Sequence, residues 1–263
     1  MSDEPSPEVV EDAPQEERSK LRVAGAWARE IGIVVIGALI ASTLIRAFLL
    51  QMFEIPSGSM NNTLVKDDRV AVLKVGGYGR GDVVVFKDTQ NWLSDPVQDP
   101  GFFGKALIFI GLLPDTTSNF LIKRVIGVEG DHVVCCDASG KITVNGYALN
   151  EVDYLYPDPS SPTGVVDPSA NAFDVVVPKG HIWVMGDHRN DSADSRYHMR
   201  DPVPEGEVAG ANAFVPVEDV VGKAVLVIFP FDHFKALPHQ VAFDGVPDPA
   251  TVPDEPIITV TID

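Results

Sequence analysis

The sequence predicts a mainly β protein, an antiparallel-sheet domain preceded by one N-terminal transmembrane helix. From residue 68 onward, short runs rich in Val and Ile alternate with Gly or Asp turns, which is typical of antiparallel strands. The 263 residues include 22 Gly and 21 Pro, more than a helical bundle would tolerate. Before these strands lies one long apolar stretch, residues 31–53, which carries a single charge, Arg46.

The N-terminal segment, residues 1–20, is predicted to be a disordered acidic tail in the cytoplasm. Its first 17 residues hold seven acidic residues and three prolines and no Lys or Arg, so this segment cannot bury enough apolar surface to order itself.

Residues 21–53 are predicted to be a transmembrane anchor. The apolar stretch reaches spanning length if Arg46 extends toward the interface. A cleavable signal peptide is the alternative, but apolar residues continue past Arg46 without a small-residue cleavage site. The basic residues precede the span, so the positive-inside rule leaves the N-terminus in the cytoplasm and the rest of the chain outside. These bases are Arg18, Lys20, Arg22 and Arg29.

The extracytoplasmic domain is expected over residues 54–237, with an insertion at 88–119. The predicted strands are "RVAVLKV" (69–75), "DVVVFK" (82–87), "FLIKRVIGV" (120–128), "DHVVCC" (131–136) and "KITVNG" (141–146), followed by "FDVVVP", "HIWVMGD" and "VVGKAVLVIFP". Within the insertion, "PGFFGKALIFIGLLP" (100–114) is too short for a second span. It is read as a short packed helix or as a flap that dips into the membrane interface.

Residues 238–263 form a predicted C-terminal tail with five prolines and five acidic residues. We expect this tail to be loosely held and to end in a strand, "IITVTI".

The composition excludes some partners. A net charge of −18 argues against a nucleic-acid partner, which would require a basic face. No Cys/His spacing predicts a metal site, and no cofactor is implied. The adjacent Cys135 and Cys136 are expected to be buried or half-buried strand residues, with a strained vicinal disulfide as the alternative.

Two segments suggest nucleophilic chemistry. "IPSGSM" (55–60) presents two serines directly after the apolar stretch, and a serine nucleophile needs a base within hydrogen-bond reach. Lys123 lies in an apolar strand, where burial would lower its pKa and favour the neutral amine. Strand alternation places Lys123 and Arg124 on opposite faces, so one would point inward and the other into solvent. Taken alone, Lys123 is better interpreted as a lysine on an edge strand whose amine reaches solvent.

A third segment, "MGDHRNDSADSRYH" (185–198), is dense in Asp, Ser and Arg after the strand "HIWV". By itself it could be a turn rich in side chains that bond to their own backbone.

Four motifs in order resemble those of the bacterial type I signal peptidases, membrane-bound Ser/Lys proteases that remove signal peptides from exported preproteins. They are "IPSGSM", "RGDVVVF", "IKRVIGVEGD" and "GDHRNDSADSR", behind an N-terminal anchor. The resemblance covers residues 31–230. It implies a signal-peptidase-like catalytic domain that cleaves after small residues of an Ala-x-Ala pattern, with signal peptides and the lipid bilayer as partners.

The resemblance also implies roles for matching positions. Ser59 would be the nucleophile, Lys123 the general base, and Ser57 part of the oxyanion hole. Ser192 would orient the lysine, and Asp194 and Arg196 would form a supporting ion pair. The implied substrate-pocket residues are Phe53, Ile55, Pro56, Met60, Leu64 and Ile122.

The chain departs from the family pattern at turns rather than at proposed catalytic groups. Asn62 replaces a proline, Asp67 replaces a glycine and is expected to tolerate positive φ, and Glu129 replaces another proline. His188, in "HRND", is an alternative base. Two other functions remain open: a related Ser/Lys protease that cuts itself or a regulator, and an inactive membrane-tethered binding module.

Overall fold

The computed structural model describes residues 15–93, 101–104 and 119–259. Helix α1 spans Gln15–Phe48 and forms one unit as far as Ile45, and the chain from Arg46 onward is a second unit. Within α1, Gly25–Ile45 is long and apolar enough to cross a membrane. The predicted tail at 1–14 lies outside the described residues, whereas residues 15–20 are already helical.

The predicted end of the anchor, at residue 53, is wrong. Helix α1 ends at Phe48, and strand β1 begins at Leu50 and runs to Glu54. Residues 50–54 are extended because they pair with the following strand, Leu50 opposite Leu73 and Glu54 opposite Arg69. Hydropathy does not distinguish an apolar edge strand from the last turn of an apolar helix.

The second unit is mainly antiparallel sheet, as predicted. Its other strands are β2 Arg69–Leu73, β3 Val83–Lys87, β4 Phe120–Gly127, β5 His132–Cys135, β6 Thr143–Val144, β7 Tyr147–Ala148, β8 Phe173–Val176, β9 His181–Met185, β10 Val215–Pro216, β11 Val220–Phe229, β12 Lys235–Ala236 and β13 Ile257–Ile258. A one-turn helix, α2, spans Ser195–His198.

The strands form two antiparallel sheets. The larger sheet has the order β1-β2-β11-β3-β4-β9-β10, with β12 also paired to β11. The smaller sheet has the order β13-β8-β5-β6-β7. Because β4 lies between β3 and β9, its residues are hydrogen-bonded on both sides and mostly buried.

Each predicted strand from 69 to 146 overlaps an observed one, because β-branched runs and turn residues are local signals. The turn between β6 and β7 illustrates the point. Asn145 and Gly146 both have positive φ, 50° and 79°, as the two central residues of a tight hairpin turn require.

Two predictions need correction or restriction. The tail from residue 238 is not loosely held as far as residue 259, since Phe243 is buried and β13 pairs with β8. The predicted terminal strand is confirmed for Ile257–Ile258. In the insertion, residues 101–104 are helical and most of the remainder lies outside the described residues.

Cys135 and Cys136 are joined in a vicinal disulfide across a cis peptide bond. The alternative of a vicinal bridge is therefore confirmed, and the prediction of buried or half-buried strand residues is confirmed for Cys135 and wrong for Cys136. Cys135 packs in the core beneath the smaller sheet, while Cys136 is exposed.

Candidate active site

The nucleophile candidate Ser59 lies in the loop between β1 and β2. The base of this loop is closed by two backbone hydrogen bonds, from the Ile55 amide to the Asp68 carbonyl and from the Asp67 amide to the Ile55 carbonyl, both 2.9 Å. Inside the loop, the amide of Leu64 donates to the carbonyl of Met60 at 2.8 Å, which makes a tight turn directly after Ser59. The loop therefore holds Ser59 on a short, internally bonded segment.

Two departures from the family pattern fit the geometry of this loop. Asp67 has φ 71°, so the expectation of a positive φ is confirmed. Asn62 has φ 84°, a value that proline cannot adopt. The side-chain amide of Asn62 donates to the carbonyl of Leu155 at 3.0 Å and ties the loop to the smaller sheet's side of the domain. The backbone here is one that Asn and Asp tolerate better than most residues.

The base candidate Lys123 lies in the middle of β4, opposite Val84 of β3. Its Nζ atom donates a hydrogen bond to Ser59 Oγ at 2.5 Å, although 64 residues separate the two in sequence. The lysine is only 3% exposed and Ser59 only 7%. The reading of Lys123 as a solvated edge-strand lysine is therefore wrong.

Burial lowers the pKa of the Lys123 ammonium from 10.5 to about 8. Charged neighbours act in both directions, since Asp194, Asp187 and Asp191 favour the ammonium and Arg196 opposes it. Loss of hydration outweighs the carboxylates, because among the described residues the amine's hydrogen-bond partner is a neutral hydroxyl. A substantial fraction of Lys123 is thus neutral near physiological pH.

Arg124, the next residue on β4, is also buried, at 1% exposure. The expectation that one of the two cations faces solvent is therefore wrong. The guanidinium of Arg124 makes two hydrogen bonds to Asp187, at 2.8 and 2.5 Å, and a third to the carbonyl of Gly81 at 2.6 Å. It also lies 4.3 Å from the centre of the Tyr154 ring. Both faces of β4 are covered, and Arg124 remains charged because it is fully paired.

The segment 186–196 lines the other side of the site. Asp194 caps the short helix α2 and pairs with Arg196 at 2.8 and 2.7 Å, so the predicted ion pair is present. Burial disfavours the Asp194 carboxylate, but Arg196 and the Gly186 amide outweigh that effect and keep the pKa of Asp194 below its ordinary value. The Asp194–Arg196 pair holds segment 186–196 in place next to Lys123.

Ser192 does not make the predicted hydrogen bond to Lys123. Its hydroxyl is buried and has no hydrogen-bond partner within the part of the chain that the structure describes. It lies over Gly186, where a Cβ atom would clash with both Ser192 Oγ and the Ser59 carbonyl. Ser192 is thus at the site, next to Gly186, but its hydroxyl has no partner among the described residues.

Ser57 lies beside the nucleophile and is more exposed. Its hydroxyl donates to Ser59 Oγ at 3.4 Å, a long hydrogen bond. Ser57 is therefore placed where its hydroxyl can reach an oxygen that forms next to Ser59.

The residues expected to line the substrate pockets separate into two groups. One apolar cluster at the larger sheet contains Phe53, Ile55, Met60, Leu64 and Ile122, all buried. Pro56 is exposed and lies outside this cluster. Two members of this cluster are sequence neighbours of the proposed catalytic residues, Met60 of Ser59 and Ile122 of Lys123.

His188 is near the site without acting on the nucleophile's hydroxyl. Its backbone amide donates to the Ser59 carbonyl at 3.1 Å, and its ring stacks on Tyr156 with centroids 3.9 Å apart. Its Nδ1 atom is 3.6 Å from Asp191. The described structure therefore brings Lys123, and not the imidazole, into contact with Ser59 Oγ.

Three residues of the site were missed by sequence reasoning: Thr63, Gly186 and Asp187. The Thr63 hydroxyl donates to Asp187, which also holds Arg124, so half-buried Thr63 and the buried Asp187 and Arg124 link the Ser59 loop to β4 and to segment 186–196. The motifs "IKRV" and "GDHR" contained a signal, because a buried strand that carries Arg requires a carboxylate partner. Nothing local indicated which carboxylate it would be.

A sequence model of the family described as "Signal peptidase, peptidase S26" matches residues 27–229. The chain belongs to this family. The match contains every residue of the site described above, and it ends at the last residue of β11.

Curated relatives agree with this assignment. A signal peptidase I from Mycobacterium tuberculosis is 35% identical over 228 residues, covering 77% of this chain and 72% of that protein. A probable signal peptidase I from Mycobacterium leprae is 35% identical and covers 76% of each chain. A chloroplastic thylakoidal processing peptidase 1 from Arabidopsis thaliana is 32% identical over 67% of this chain and 45% of that protein. Family membership makes the chain a serine endopeptidase of the signal peptidase type, with a helix suited to membrane attachment.

Proposed function

We propose that this protein removes signal peptides from exported preproteins, with Ser59 as nucleophile and Lys123 as general base. The observation that carries the proposal is the 2.5 Å contact between Lys123 Nζ and Ser59 Oγ, made by an amine whose pKa burial lowers to about 8. A lysine that is neutral in part at physiological pH can act as a base, which an ordinary solvated lysine cannot.

In the first half of the reaction, neutral Lys123 accepts the hydroxyl proton of Ser59 while Ser59 Oγ attacks the scissile carbonyl carbon. The Lys123 ammonium then gives that proton to the departing amine, the peptide C–N bond breaks, and an acyl ester remains on Ser59. In the second half, Lys123 takes a proton from water, and the hydroxide attacks the ester. The returning proton restores Ser59, so one water is consumed for each peptide bond cleaved.

The oxyanion is proposed to be held by the Ser57 hydroxyl together with the Ser59 backbone amide. Support comes from the position of Ser57, whose Oγ is 3.4 Å from Ser59 Oγ. Loss of one oxyanion donor typically lowers the rate by ~10²–10³-fold.

Specificity for small side chains is proposed to come from the same apolar walls that dehydrate Lys123. Ile55, Met60, Leu64 and Ile122 are packed in one cluster and Met60 directly follows Ser59, so the space that this cluster leaves beside the serine is proposed to be shallow. Alanine at the −1 and −3 positions would fit such space, and larger side chains would not. The preceding strand β1 is at the edge of the larger sheet, so an extended substrate could pair with its free side.

The proposed topology places the N-terminus in the cytoplasm and the sheets outside. It is supported by the four basic residues that precede the apolar part of α1, at 18, 20, 22 and 29. The active site would then lie close in sequence to the membrane-crossing segment Gly25–Ile45, because Ser59 follows Ile45 by fourteen positions.

The experiment is cleavage of an exported precursor with an Ala-x-Ala site, in detergent, by the purified full-length chain. Ser59→Ala and Lys123→Ala are expected to abolish cleavage while remaining folded. Lys141→Ala, which removes an exposed lysine on a different segment, is the matched control and should cleave normally. Cleavage that persists in Lys123→Ala but disappears in His188→Ala would overturn the assignment of the base.

A further inference from the structure

Residues 237–259 form a strap that begins at the larger sheet and ends at the smaller one. At its start, the Leu237 amide donates to the carbonyl of Val225 in β11 at 2.9 Å. At its end, β13 pairs with β8, and the Thr259 amide donates to Asp174 at 2.9 Å. The strap follows the part of the chain that matches the family model, which ends at residue 229.

The middle of the strap is anchored by one buried aromatic side chain. Phe243 is 4% exposed and lies directly against Gly81, where a Cβ atom would be 2.7 Å from the Phe243 ring. The ring of Phe243 also stacks on Tyr154, with centroids 6.4 Å apart and planes 21° from parallel. Phe243 therefore packs against both Gly81 and Tyr154.

Gly81 and Tyr154 are the two groups that connect Phe243 to β4. The Gly81 amide donates to the carbonyl of Val125 at 2.7 Å, and the Gly81 carbonyl accepts from Arg124 at 2.6 Å. Tyr154 lies under the same guanidinium at 4.3 Å. Phe243 thus supports the two β4 residues that directly follow Lys123.

We propose that Phe243 is a positioning residue for the general base, through which the strap sets the place of Lys123 relative to Ser59. The inference rests on the proposed function, because it presupposes that Lys123 is the base. Removal of the ring opens space beside Gly81 and beneath Tyr154, so the turn before β3 and the Arg124 side chain can both shift. The backbone of Lys123 moves with them.

A small shift matters because the Lys123–Ser59 contact is short and buried. A displacement of 1 Å at a reacting group can cost about 10²-fold in rate. A looser β4 also admits solvent to the amine, which raises the apparent pKa of the base toward that of free lysine. Substrate binding is less affected, because Phe243 belongs to a different hydrophobic cluster from the residues proposed to line the pockets.

The test is steady-state cleavage of the Ala-x-Ala precursor by Phe243→Ala, Phe243→Leu and Ile258→Ala, with rates divided by the folded fraction from near-ultraviolet circular dichroism. Ile258 is the matched control, because it belongs to the strap but packs at the smaller sheet. We expect Phe243→Ala to lower kcat about tenfold, to change KM less than twofold, and to move the midpoint of the pH–rate curve upward. Phe243→Leu should recover most of kcat, and Ile258→Ala should retain both kcat and midpoint.

Unchanged kcat and midpoint in folded Phe243→Ala would overturn the inference, as would equal losses in Phe243→Ala and Ile258→Ala. If Phe243→Ala does not fold, Phe243→Val is judged by the same two readouts. Ser59→Ala is assayed in the same series. If Ser59→Ala is inactive and Phe243→Ala is unaffected, only the positioning role of Phe243 is overturned. If Ser59→Ala is active, the proposed function itself is overturned.

Discussion

The two faces of strand β4 surround neighbouring cations in opposite ways. On one face, Arg124 has a carboxylate, a carbonyl and an aromatic ring around its guanidinium. On the other, the amine of Lys123 has a serine hydroxyl as its hydrogen-bond partner within the described residues. Both side chains are buried, so the difference lies in what replaces their lost hydration.

This contrast gives the two adjacent residues different roles, a structural one for Arg124 and a catalytic one for Lys123. A buried cation with a full set of acceptors stays charged and locks the surrounding segments together. A buried cation that lacks an ion-pair partner becomes easier to deprotonate, which is what a general base requires. Each prediction below tests the surroundings of one of these two cations, beginning with the largest expected effect.

Replacing Lys123 by Met should remove the base while keeping a side chain of similar length. General-base catalysis typically contributes ~10²–10⁴-fold, so kcat/KM should fall by at least about 10². Cleavage of the precursor under single-turnover conditions measures this loss. Lys141→Met is the control and should keep the parent kcat/KM. A Lys123→Met enzyme whose kcat/KM is within tenfold of the parent value would show that Lys123 is not the general base.

Replacing Asp187 by Asn should break the paired face. Arg124 is then left buried with both of its hydrogen bonds to residue 187 weakened, and removal of one partner from a buried ion pair costs roughly 3–5 kcal/mol. Urea unfolding of the variant gives the free energy directly.

The control for Asp187→Asn is Asp191→Asn, whose carboxylate is exposed and lies in the same segment. We expect Asp191→Asn to change the free energy of unfolding by less than about 0.5 kcal/mol. The double variant Arg124→Met/Asp187→Leu should recover most of the stability lost in Asp187→Asn. Equal stabilities for Asp187→Asn and Asp191→Asn would show that the pair is not structural.

Lys123→Met should also stabilise the fold. The folded-state pKa of Lys123, about 8, is below the unfolded value of 10.5, so protonation favours the unfolded chain. The cost of burying the amine is fully present below pH 8, shrinks as pH rises from 8 to 10.5, and is absent above that. Lys123→Met should therefore gain up to about 3 kcal/mol at pH 7 and little at pH 10.5, measured by urea unfolding at both pH values. A gain that is the same at both pH values would contradict the burial argument.

The pH dependence of cleavage gives the smallest effect, a few-fold change across the physiological range. Because the neutral amine is the active form, kcat/KM should rise about tenfold per pH unit well below pH 8 and level off above it. Initial rates between pH 6 and pH 9.5 define the midpoint. A profile that still climbs steeply at pH 9.5 would mean that the base is solvated in the working enzyme.

Much of this architecture could be predicted because its signals are local. The β-branched runs located β2 to β5, and the short motifs located Ser59, Lys123, Asp194 and Arg196 before any contact was known. The positive φ of Asp67 was expected because this residue stands where the family pattern has a glycine.

The rest depended on contacts between distant segments. Arg124 was expected to face solvent whenever Lys123 faced inward, because strand alternation takes no account of a partner 63 residues away. The strap was expected to be loose because its composition is rich in proline and acid, yet one phenylalanine and a two-residue strand hold it to the domain. Hydropathy extended the anchor to residue 53, since it does not register that 50–54 pair with β2.

The most direct measurement is a titration of Lys123 itself. Lysine side-chain ¹⁵N resonances of the full-length chain in detergent, assigned by their loss in Lys123→Met, report the protonation of this amine as pH varies. A midpoint near 8, well below those of the exposed lysines, is the result that burial without an ion-pair partner predicts. A midpoint at 10 or above would mean that the amine keeps its proton at physiological pH, and that Lys123 cannot serve as the base.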